Sequence, residues 1–525
     1  MKDETESRTG GRRALYFAHR LTGLVFGFLG IVVFFTGVVA LFADDLNGWA
    51  HRSDHYTALA DLEPGALEAA HHAAEAVVSE SVRSSFSVRH AEGQGLDFVF
   101  QPEDGNGNFE RVFVDPSTAT VLNHRTGPRE EIFQSEGKGS LSRFFVQLHV
   151  RMLVPGEAGL WLTGLVGFGL LFLAGSGIIV HWPRRRNLLQ RPRRALRRWT
   201  GDLHTLIGAW TLPYTVILAL TGAFFSFAGA LLIPILVLVN YAGDRVAMQE
   251  AIGGEVAVPP AEGTANLDGL LASARTREPE LRVNRIQFKD WDGPNAHALL
   301  NVGEEGYILT NKTLAFSGHT GEFLEERPIL GVAPSAGSSL VMLIAGLHFG
   351  NLASTFTKVL WALLGLLACL LGTTGIALWY LRNERRAPRG ARLTKALLGA
   401  TAALPLGVGS ATVAWALTVS AESELWMAIA FFGSVLFGAA LTLRTSALRA
   451  VQINTVFGAL SCLLVPVLGA SATGIGLLEA AADPARAPTI GVDIGFICTA
   501  FLLLAAAYPV RGLASAPATE DPSSP

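Results

Sequence analysis

The sequence predicts an all-α polytopic membrane protein with about eight transmembrane helices. Four of these helices form a duplicated helix–module–helix core, four more follow at the C-terminal end, and the modules are two small α+β units. Half of the 525 residues are hydrophobic, 16% are charged, and the mean hydropathy is +0.37. The apolar residues are gathered into runs of about 20 residues, the length that a helix needs to cross a bilayer. This composition excludes a soluble globular protein.

Eight apolar runs are candidates for membrane-spanning helices. They lie at 14–42, 160–182, 203–239, 340–381, 396–419, 425–443, 451–472 and 491–509. The first run is longer than the apolar core of a signal peptide and has no small-residue cleavage site before Asp44. It is therefore predicted to be a retained helix.

The distribution of Lys and Arg predicts the orientation, because cationic loops stay in the cytoplasm. Residues 183–200 carry eight arginines and no acid, and residues 382–395 carry six basic residues and one acid. In contrast, residues 43–148 have 17 acidic and 8 basic residues, and residues 242–339 have 14 and 8. We expect a bacterial inner-membrane protein with both termini in the cytoplasm and two large periplasmic loops.

The two long loops are predicted to be folded. The first has an Ala-rich and Glu-rich helical segment followed by strand-like pieces such as LDFVF and ERVFVD, and the second repeats this order with RVNRIQF and HALLNV. The predicted divisions are 1–43 (N-terminus and helix 1), 44–148 (module 1), 149–241 (helices 2 and 3 with the Arg-rich loop), 242–339 (module 2), 340–382 (helix 4), 383–511 (a cytoplasmic loop and helices 5–8) and 512–525 (a disordered tail).

An internal repeat organises the first part of the chain. The first helix contains HRLTGLVFGFLGIVVFFTG and the third contains HTLIGAWTLPYTVILALTG. Four identities fall in register: His19 with His204, Gly23 with Gly208, Thr36 with Thr221, and Gly37 with Gly222. The second and fourth helices are preceded by LHV at 148–150 and LHF at 347–349. The repeat predicts a pseudo-two-fold axis along the membrane normal.

Five histidines mark two depths of this core. His19, His181 and His204 lie at the predicted cytoplasmic ends of helices, while His149 and His348 lie at the periplasmic side of helices two and four. Polar rings at a membrane are costly unless they have a partner. Since neutral imidazole is the usual axial ligand of a membrane haem, we expect two b haems per chain. The preferred pairs are His149 with His348 and His19 with His204. His181 is a further candidate ligand on the cytoplasmic side.

Other side chains suggest weaker alternatives. A single His at a helix end is often only a headgroup contact. The neighbouring pair His71 and His72, and the pair His51 and His55, could bind a metal, but a solvated surface is the alternative. The three cysteines have no CxxC spacing, so a zinc site, an iron–sulfur cluster and a disulfide are not expected.

At these histidines the chain resembles the PepSY-associated transmembrane helix family. The resemblance rests on the HR-x-TG first helix with its downstream TG, the LH pair before the second and fourth helices, and the VFVDPSTATV turn, which has Ala119 where the family commonly has Gly. It covers roughly residues 12–386. It implies PepSY-like periplasmic modules, and its better understood branch implies a ferric-siderophore reductase with haem iron held by His19, His149, His204 and His348. The four C-terminal helices have no counterpart in the minimal family form.

The first functional hypothesis is a transmembrane oxidoreductase that reduces a ferric siderophore or another ferric chelate in the periplasm. Reduction to Fe(II) weakens the hold of anionic oxygen ligands on the iron. Substrate-contact candidates are Arg151, Trp161, Lys358 and Trp361, for which interfacial anchoring is the alternative. No dinucleotide or flavin fingerprint is present, so the electron donor is either a quinol or a cytoplasmic reductase. The net charge of −3 gives no indication of a nucleic-acid partner.

Two rival hypotheses come from other functional classes. The repeat could form the substrate path of a transporter or permease accessory, with the histidines relaying protons. Alternatively, the modules could bind peptides in a regulator without redox activity, in which case the membrane histidines would be replaceable.

Overall fold

A computed structural model describes residues 2–515 except 53–58, 60–61, 92–94, 103–106, 129–130, 133–139, 182–195, 245–246, 249–255, 292, 305–307, 330–332, 353, 419–422 and 484–485. Its helices in chain order are α1 (Lys2–Ala40), α2 (Ala43–Ala50), α3 (Ala66–Glu75), α4 (Leu141–Arg151), α5 (Glu157–His181), α6 (Leu196–Trp210), α7 (Leu212–Phe227), α8 (Ile233–Tyr241), α9 (Leu267–Arg277), α10 (Ala336–Phe349), α11 (Ser354–Asn383), α12 (Pro388–Ala402), α13 (Leu404–Thr418), α14 (Ser423–Arg444), α15 (Ala447–Thr473), α16 (Leu477–Ala482) and α17 (Ile490–Ser515).

Within the described part of the chain, seven helical segments are long and apolar enough to cross a membrane. They are Gly11–Ala40, Glu157–His181, Leu212–Val239, Thr355–Asn383, Ser423–Arg444, Ala447–Thr473 and Ile490–Ala507. Helices α12 and α13 meet at a bend of 47° and make an eighth span if they are counted together. The chain is a polytopic membrane protein, as predicted.

Two of the predicted spans are wrong in their continuity. The run 203–239 is divided after Trp210, and Pro213 lies in the first turn of the new helix, where the missing N–H of proline costs nothing. The run 340–381 is divided at Gly350, which adopts the left-handed conformation (φ 67°) that ends helices. His204 and His348 therefore lie on α6 and α10, which precede the spans, and His149 lies on the corresponding short helix α4.

The chain forms two compact units. The first, the membrane unit, comprises Met1–Ala50, Gly139–Phe227 and Leu360–Pro525, and the second, the sheet unit, comprises His51–Lys138 and Ala228–Val359. In the membrane unit, α5 packs along α1 and α7. A Cβ on Gly167 of α5 would lie 2.8 Å from the carbonyl oxygen of Ala219 on α7, so these two helices approach closely only because a glycine is present.

The sheet unit contains one antiparallel sheet of eight strands. The strands are β1 (Phe86–Ala91), β2 (Gly95–Phe100), β3 (Asn108–Asp115), β4 (Thr120–Pro128), β5 (Arg282–Lys289), β6 (His297–Gly303), β7 (Lys312–Ser317) and β8 (Phe323–Pro328). Their spatial order is β4-β3-β2-β1-β5-β6-β7-β8. Each loop thus contributes four strands and a helix, and the strands of both loops form one sheet, whereas the sequence predicts two small modules. The sequence does not predict the antiparallel pairing of β1 with β5 that joins the halves.

One face of this sheet is apolar and carries the core of the unit. Side chains of all the central strands pack there against α3 and α9, including Val88, Phe98, Ile286 and Leu300, none of which is exposed. The strand period of two therefore places the intervening residues, which are mostly polar, on the opposite face.

The turn between β3 and β4 is strained in a way that gives a testable prediction. Ala119 has φ 53°, and Gly321 has φ 72° at the matching place in the second half. A non-Gly residue in this region costs about 1–2 kcal/mol, and the extra flexibility of unfolded Gly offsets about 0.5–1 kcal/mol of that. We expect Ala119→Gly to stabilise the protein by up to about 1 kcal/mol and Gly321→Ala to destabilise it similarly, as measured by thermal unfolding. Equal unfolding temperatures for both variants would contradict this account.

Candidate functional site

The imidazoles of His19 and His204 have equivalent surroundings in the two copies of the repeat. Nδ1 of His19 lies 2.8 Å from Oγ of Ser176, and Nδ1 of His204 lies 3.1 Å from Oγ1 of Thr374. Nδ1 of His204 also lies 3.1 Å from the carbonyl oxygen of Leu371. Each histidine therefore contacts the hydroxyl residue at the same repeat position on the partner helix.

A glycine follows each of these hydroxyl residues and lies against the imidazole. A Cβ on Gly177 would be 3.5 Å from Cε1 of His19, and a Cβ on Gly375 would be 3.2 Å from Cε1 of His204. Gly177 and Gly375 thus let each imidazole lie close to the backbone of the partner helix.

His149 is held in a similar manner on α4. Its Nδ1 lies 2.9 Å from the carbonyl oxygen of Val33 on α1, and a Cβ on Gly37 would lie 2.9 Å from its Cε1. A carbonyl accepts but cannot donate, so the hydrogen bond places the proton of His149 on Nδ1. The same holds for His204 opposite Leu371. This leaves Nε2 as the nitrogen with a lone pair.

The three histidines of the predicted cytoplasmic side, His19, His181 and His204, lie near one another. His181 ends α5, and it lies within electrostatic range of both His19 and His204. Arg382 is also within range of His204. The structure therefore brings together the three residues that the sequence proposed for one depth of the membrane.

A cluster of polar residues beside this group was missed by the sequence analysis. Arg382 donates a hydrogen bond through Nη1 to Oη of Tyr16, and the guanidinium carbon of Arg20 lies 5.8 Å from the centre of the Tyr16 ring. Cationic side chains at this depth would suit acidic groups of a ligand. Their spacing in the sequence gave no signal, because Arg382 is more than 300 residues from Tyr16.

An open space lies on α1 between the two groups of histidines. Gly27 is buried, yet a Cβ added to it would meet no atom within 4 Å. In contrast, a Cβ on Gly30 would lie 2.9 Å from Leu170, and one on Gly372 would lie 2.6 Å from Ile31. Gly30 and Gly372 are thus used for close packing, whereas a methyl group on Gly27 would meet no neighbour.

The remaining predicted site residues, His348 and the substrate-contact candidates, are distributed over both units. His348 lies on α10 of the sheet unit, and Lys358 belongs to the same unit. In the membrane unit, Nη1 of Arg151 donates to the carbonyl oxygen of Gly156, which ties it to the turn after α4. The ring of Trp161 contacts Phe227, and the ring of Trp361 contacts Tyr214. These contacts give both tryptophans a packing role.

The structure gives the surroundings of the other histidines that the sequence suggests as metal ligands. His71 is buried and stacks on Phe86 with ring centres 4.5 Å apart, so the expected solvated surface is wrong for this residue. His72 pairs with Glu68 and Glu75 on the same helix. His55 and most of the Arg-rich loop lie outside the described residues.

Burial of His71 predicts a loss of stability in acid. Burial and, to a smaller extent, the neighbouring His72 lower the pKa of His71 to about 4. Because the unfolded imidazole has a pKa near 6.5, the unfolded state binds more protons between these values, and stability falls as the pH decreases from about 6.5 to 4. The loss has an upper limit of about 3 kcal/mol. Thermal unfolding at pH 7.5 and 5.0 should show a smaller pH dependence in His71→Leu than in wild type, and an unchanged dependence would contradict the assignment.

Comparison with known proteins decides the family. The PepSY-associated TM region family matches residues 17–382. The chain belongs to this family. The match includes all five histidines of the duplicated core and excludes α12–α17, so this PepSY-associated membrane protein carries an additional C-terminal bundle. It is also similar to an uncharacterised protein of Pseudomonas aeruginosa, with 32% identity over 268 residues. The alignment covers 48% of this chain and 66% of the relative, so the chain spans slightly under two thirds of the relative's length.

Proposed function

We propose that this protein is a di-haem b oxidoreductase of the bacterial inner membrane that reduces ferric chelates, such as ferric siderophores, in the periplasm. The observation that carries the proposal is the fixed orientation of three imidazoles. Nδ1 of His19, His149 and His204 each has a protein acceptor, which is the usual arrangement behind metal-bound histidines. Nε2 of His19 and His204 forms no hydrogen bond with the described residues.

The imidazoles of the membrane unit are of the type that ligates haem iron. When bound, haem would supply one-electron transfer at each centre. His19 and His204 would hold the cytoplasmic-side group, with His181 close enough to replace one of them. The pairing of His149 with His348 for the periplasmic-side group rests on the internal repeat alone.

The hydrogen bonds of the histidines argue against a proton relay. A relay that carries a proton through the ring requires both ring nitrogens to exchange protons in turn, whereas the main-chain carbonyls of Val33 and Leu371 have no proton to give. Nδ1 of His149 and of His204 is therefore suited to orient the ring. This consideration favours the redox hypothesis over the transporter hypothesis.

The activity can be tested in proteoliposomes. The protein would be reconstituted with a reductant on the cytoplasmic side, a ferric chelate on the periplasmic side, and ferrozine outside to report Fe(II). We expect Fe(II) to form with wild type and its rate to fall at least tenfold in His149→Ala. The matched control is His319→Ala, because this half-buried histidine of the sheet unit hydrogen-bonds, among the described residues, to the loop carbonyls of Gly263 and Pro294. Equal rates in wild type and His149→Ala would refute the proposal.

Replacement of the two hydroxyl residues that contact His19 and His204 is expected to have unequal effects on haem binding. Ser176 is the one acceptor described for Nδ1 of His19, whereas His204 retains the Leu371 carbonyl when Thr374 is replaced. Loss of such a partner typically costs about 10–100-fold in metal affinity. Ser176→Ala should therefore weaken haem retention in this range, while Thr374→Val should have a smaller effect. Titration of the apoprotein with haem would measure both, and a larger effect of Thr374→Val would contradict the assigned contacts.

A further inference from the structure

Helix α3 of the sheet unit carries three side chains of metal-ligating type that the proposed function does not use. His71, His72 and Glu75 each offer one nitrogen or oxygen atom, and these atoms lie within 4.8 Å of one another. Glu75 follows His71 by four residues and His72 by three, so one turn of the helix brings its carboxylate close to both rings. Two imidazoles and a carboxylate are ligands that first-row transition metals commonly have in proteins. We refer to these three residues as the α3 cluster.

The His71 ring is buried but has no protein partner for its nitrogens. The residue is 5% exposed, and its ring stacks on Phe86 of β1. Within the described part of the chain, the ring forms no hydrogen bond. A metal ion at the nitrogen that belongs to the α3 cluster would therefore displace no protein contact. The stacking on Phe86 also limits the motion of the ring, so this ligand is held in place before a metal binds.

The second half of the sheet unit has leucine where the first half has His71. Helices α3 and α9 align with Leu67 equivalent to Leu267, and both of these leucines are buried in the same core. This alignment makes Leu271, which is 1% exposed, the equivalent of His71. The other two positions of the α3 cluster also lack a ligand in α9, where they are Ala272 and Arg275. Packing at this position is satisfied by an apolar side chain, so packing alone does not require the imidazole of His71.

A second carboxylate orients His72 from the other side of its ring. Nε2 of His72 lies 3.5 Å from Oε1 of Glu68, while Nδ1 of His72 lies 3.8 Å from Oε2 of Glu75. Oε2 of Glu68 accepts a hydrogen bond of 2.7 Å from the backbone N–H of Leu267 on α9, which fixes this carboxylate. A carboxylate beside the second nitrogen of a ligating histidine is the usual arrangement behind a bound metal. Nδ1 of His72 is thus the nitrogen directed to the α3 cluster.

We propose that His71, His72 and Glu75 bind a first-row divalent transition-metal ion such as Zn²⁺. Zinc–ligand bonds of about 2.0–2.2 Å allow at most about 4.4 Å between two ligand atoms of one ion. The side chains of His72 and Glu75 are 66% and 33% exposed, so small rotations of both can close the remaining gap. The same exposure leaves a fourth coordination position for water. Imidazole ligands disfavour Mg²⁺ and Ca²⁺, which are bound by oxygen atoms.

The test measures zinc binding by the full-length protein in nanodiscs, purified without a polyhistidine tag and stripped of metal with EDTA. Isothermal titration with zinc chloride gives affinity and stoichiometry, and X-ray absorption at the zinc edge counts the imidazole ligands. The variants are His71→Leu, which copies the second half, His72→Ala, Glu75→Gln and Glu68→Gln. The control is His319→Ala, a half-buried histidine of the same unit. Circular dichroism checks folding, and acid-stability measurements on His71→Leu are made in EDTA, because metal binding itself depends on pH.

We expect wild type and the control to bind one zinc ion more than His71→Leu. His72→Ala and Glu75→Gln should each weaken zinc binding more than Glu68→Gln, for which a loss of about tenfold is expected. The zinc spectrum of His72→Ala should contain one imidazole fewer than that of wild type. Equal zinc affinity and stoichiometry in wild type, His72→Ala and Glu75→Gln would overturn the proposal, and these two replacements lie at partly exposed side chains outside the core. Binding of Mg²⁺ as tightly as Zn²⁺ would overturn it as well, because the imidazoles would then not be ligands.

Discussion

Replacement of His204 by Ala is expected to remove one of about two haems per chain. The imidazole would be the ligand of the iron, and Nδ1 of His204 is held by both Leu371 and Thr374, so the orientation of the ring is fixed by two partners. Pyridine haemochrome assays of purified wild type and variant would measure the loss. Addition of free imidazole to His204→Ala should restore part of the reduced b-type spectrum, because the cavity can accept the ligand.

The same assay distinguishes the partners of His204. His19→Ala and His181→Ala alter two residues within electrostatic range of His204, but only one of them can be the second ligand. We expect His19→Ala to lose one haem and His181→Ala to retain both, because His19 has the repeat-equivalent contacts. His319→Ala, which lies in the sheet unit, serves as the control. Full haem content in His204→Ala would contradict the assignment.

Replacement of Asp97 by Ala is expected to destabilise the sheet unit by about 3–5 kcal/mol. Asp97 and Arg111 are both buried, so the variant would leave the Arg111 charge without its two-point partner. Limited proteolysis and thermal unfolding of the full-length protein would report the loss, with cleavage expected in the loops of the sheet unit.

A double-mutant experiment separates loss of the ion pair from loss of packing. Asp97→Leu combined with Arg111→Met replaces both charges with apolar groups of similar size and should recover much of the stability lost in Asp97→Ala. If Asp97→Ala unfolds at the wild-type temperature, the buried pair has no structural role.

The membrane part of the fold was largely predictable because its physical signal is local. An apolar run of 20 residues has few alternatives to a membrane helix, so the spans were found with modest errors at their ends. The breaks after Trp210 and at Gly350 were missed, because a turn of one or two residues hardly changes the hydropathy of a window. The presence of Pro213 and Gly350 was the available signal.

The site was predictable in its residue types but not in its contacts. The internal repeat identified His19 and His204 as equivalents, and the structure shows that Ser176 and Thr374 are equivalent as well. A comparison of residue identities misses the second equivalence, because the residue is Ser in one copy and Thr in the other. The glycine that follows is the same in both copies. Pairing of β1 with β5 was equally hidden, since the two strands are almost 200 residues apart and nothing local specifies their register.

The most direct test of the account is an absorption spectrum of the detergent-purified protein, first oxidised by air and then reduced with dithionite. Cells supplied with 5-aminolaevulinate would provide the haem, and a pyridine haemochrome assay would give its amount. The account predicts a b-type spectrum with about two haems per chain. A protein that folds, as judged by circular dichroism, but contains no haem would contradict the assignment of the histidines and favour the transporter or peptide-binding alternatives.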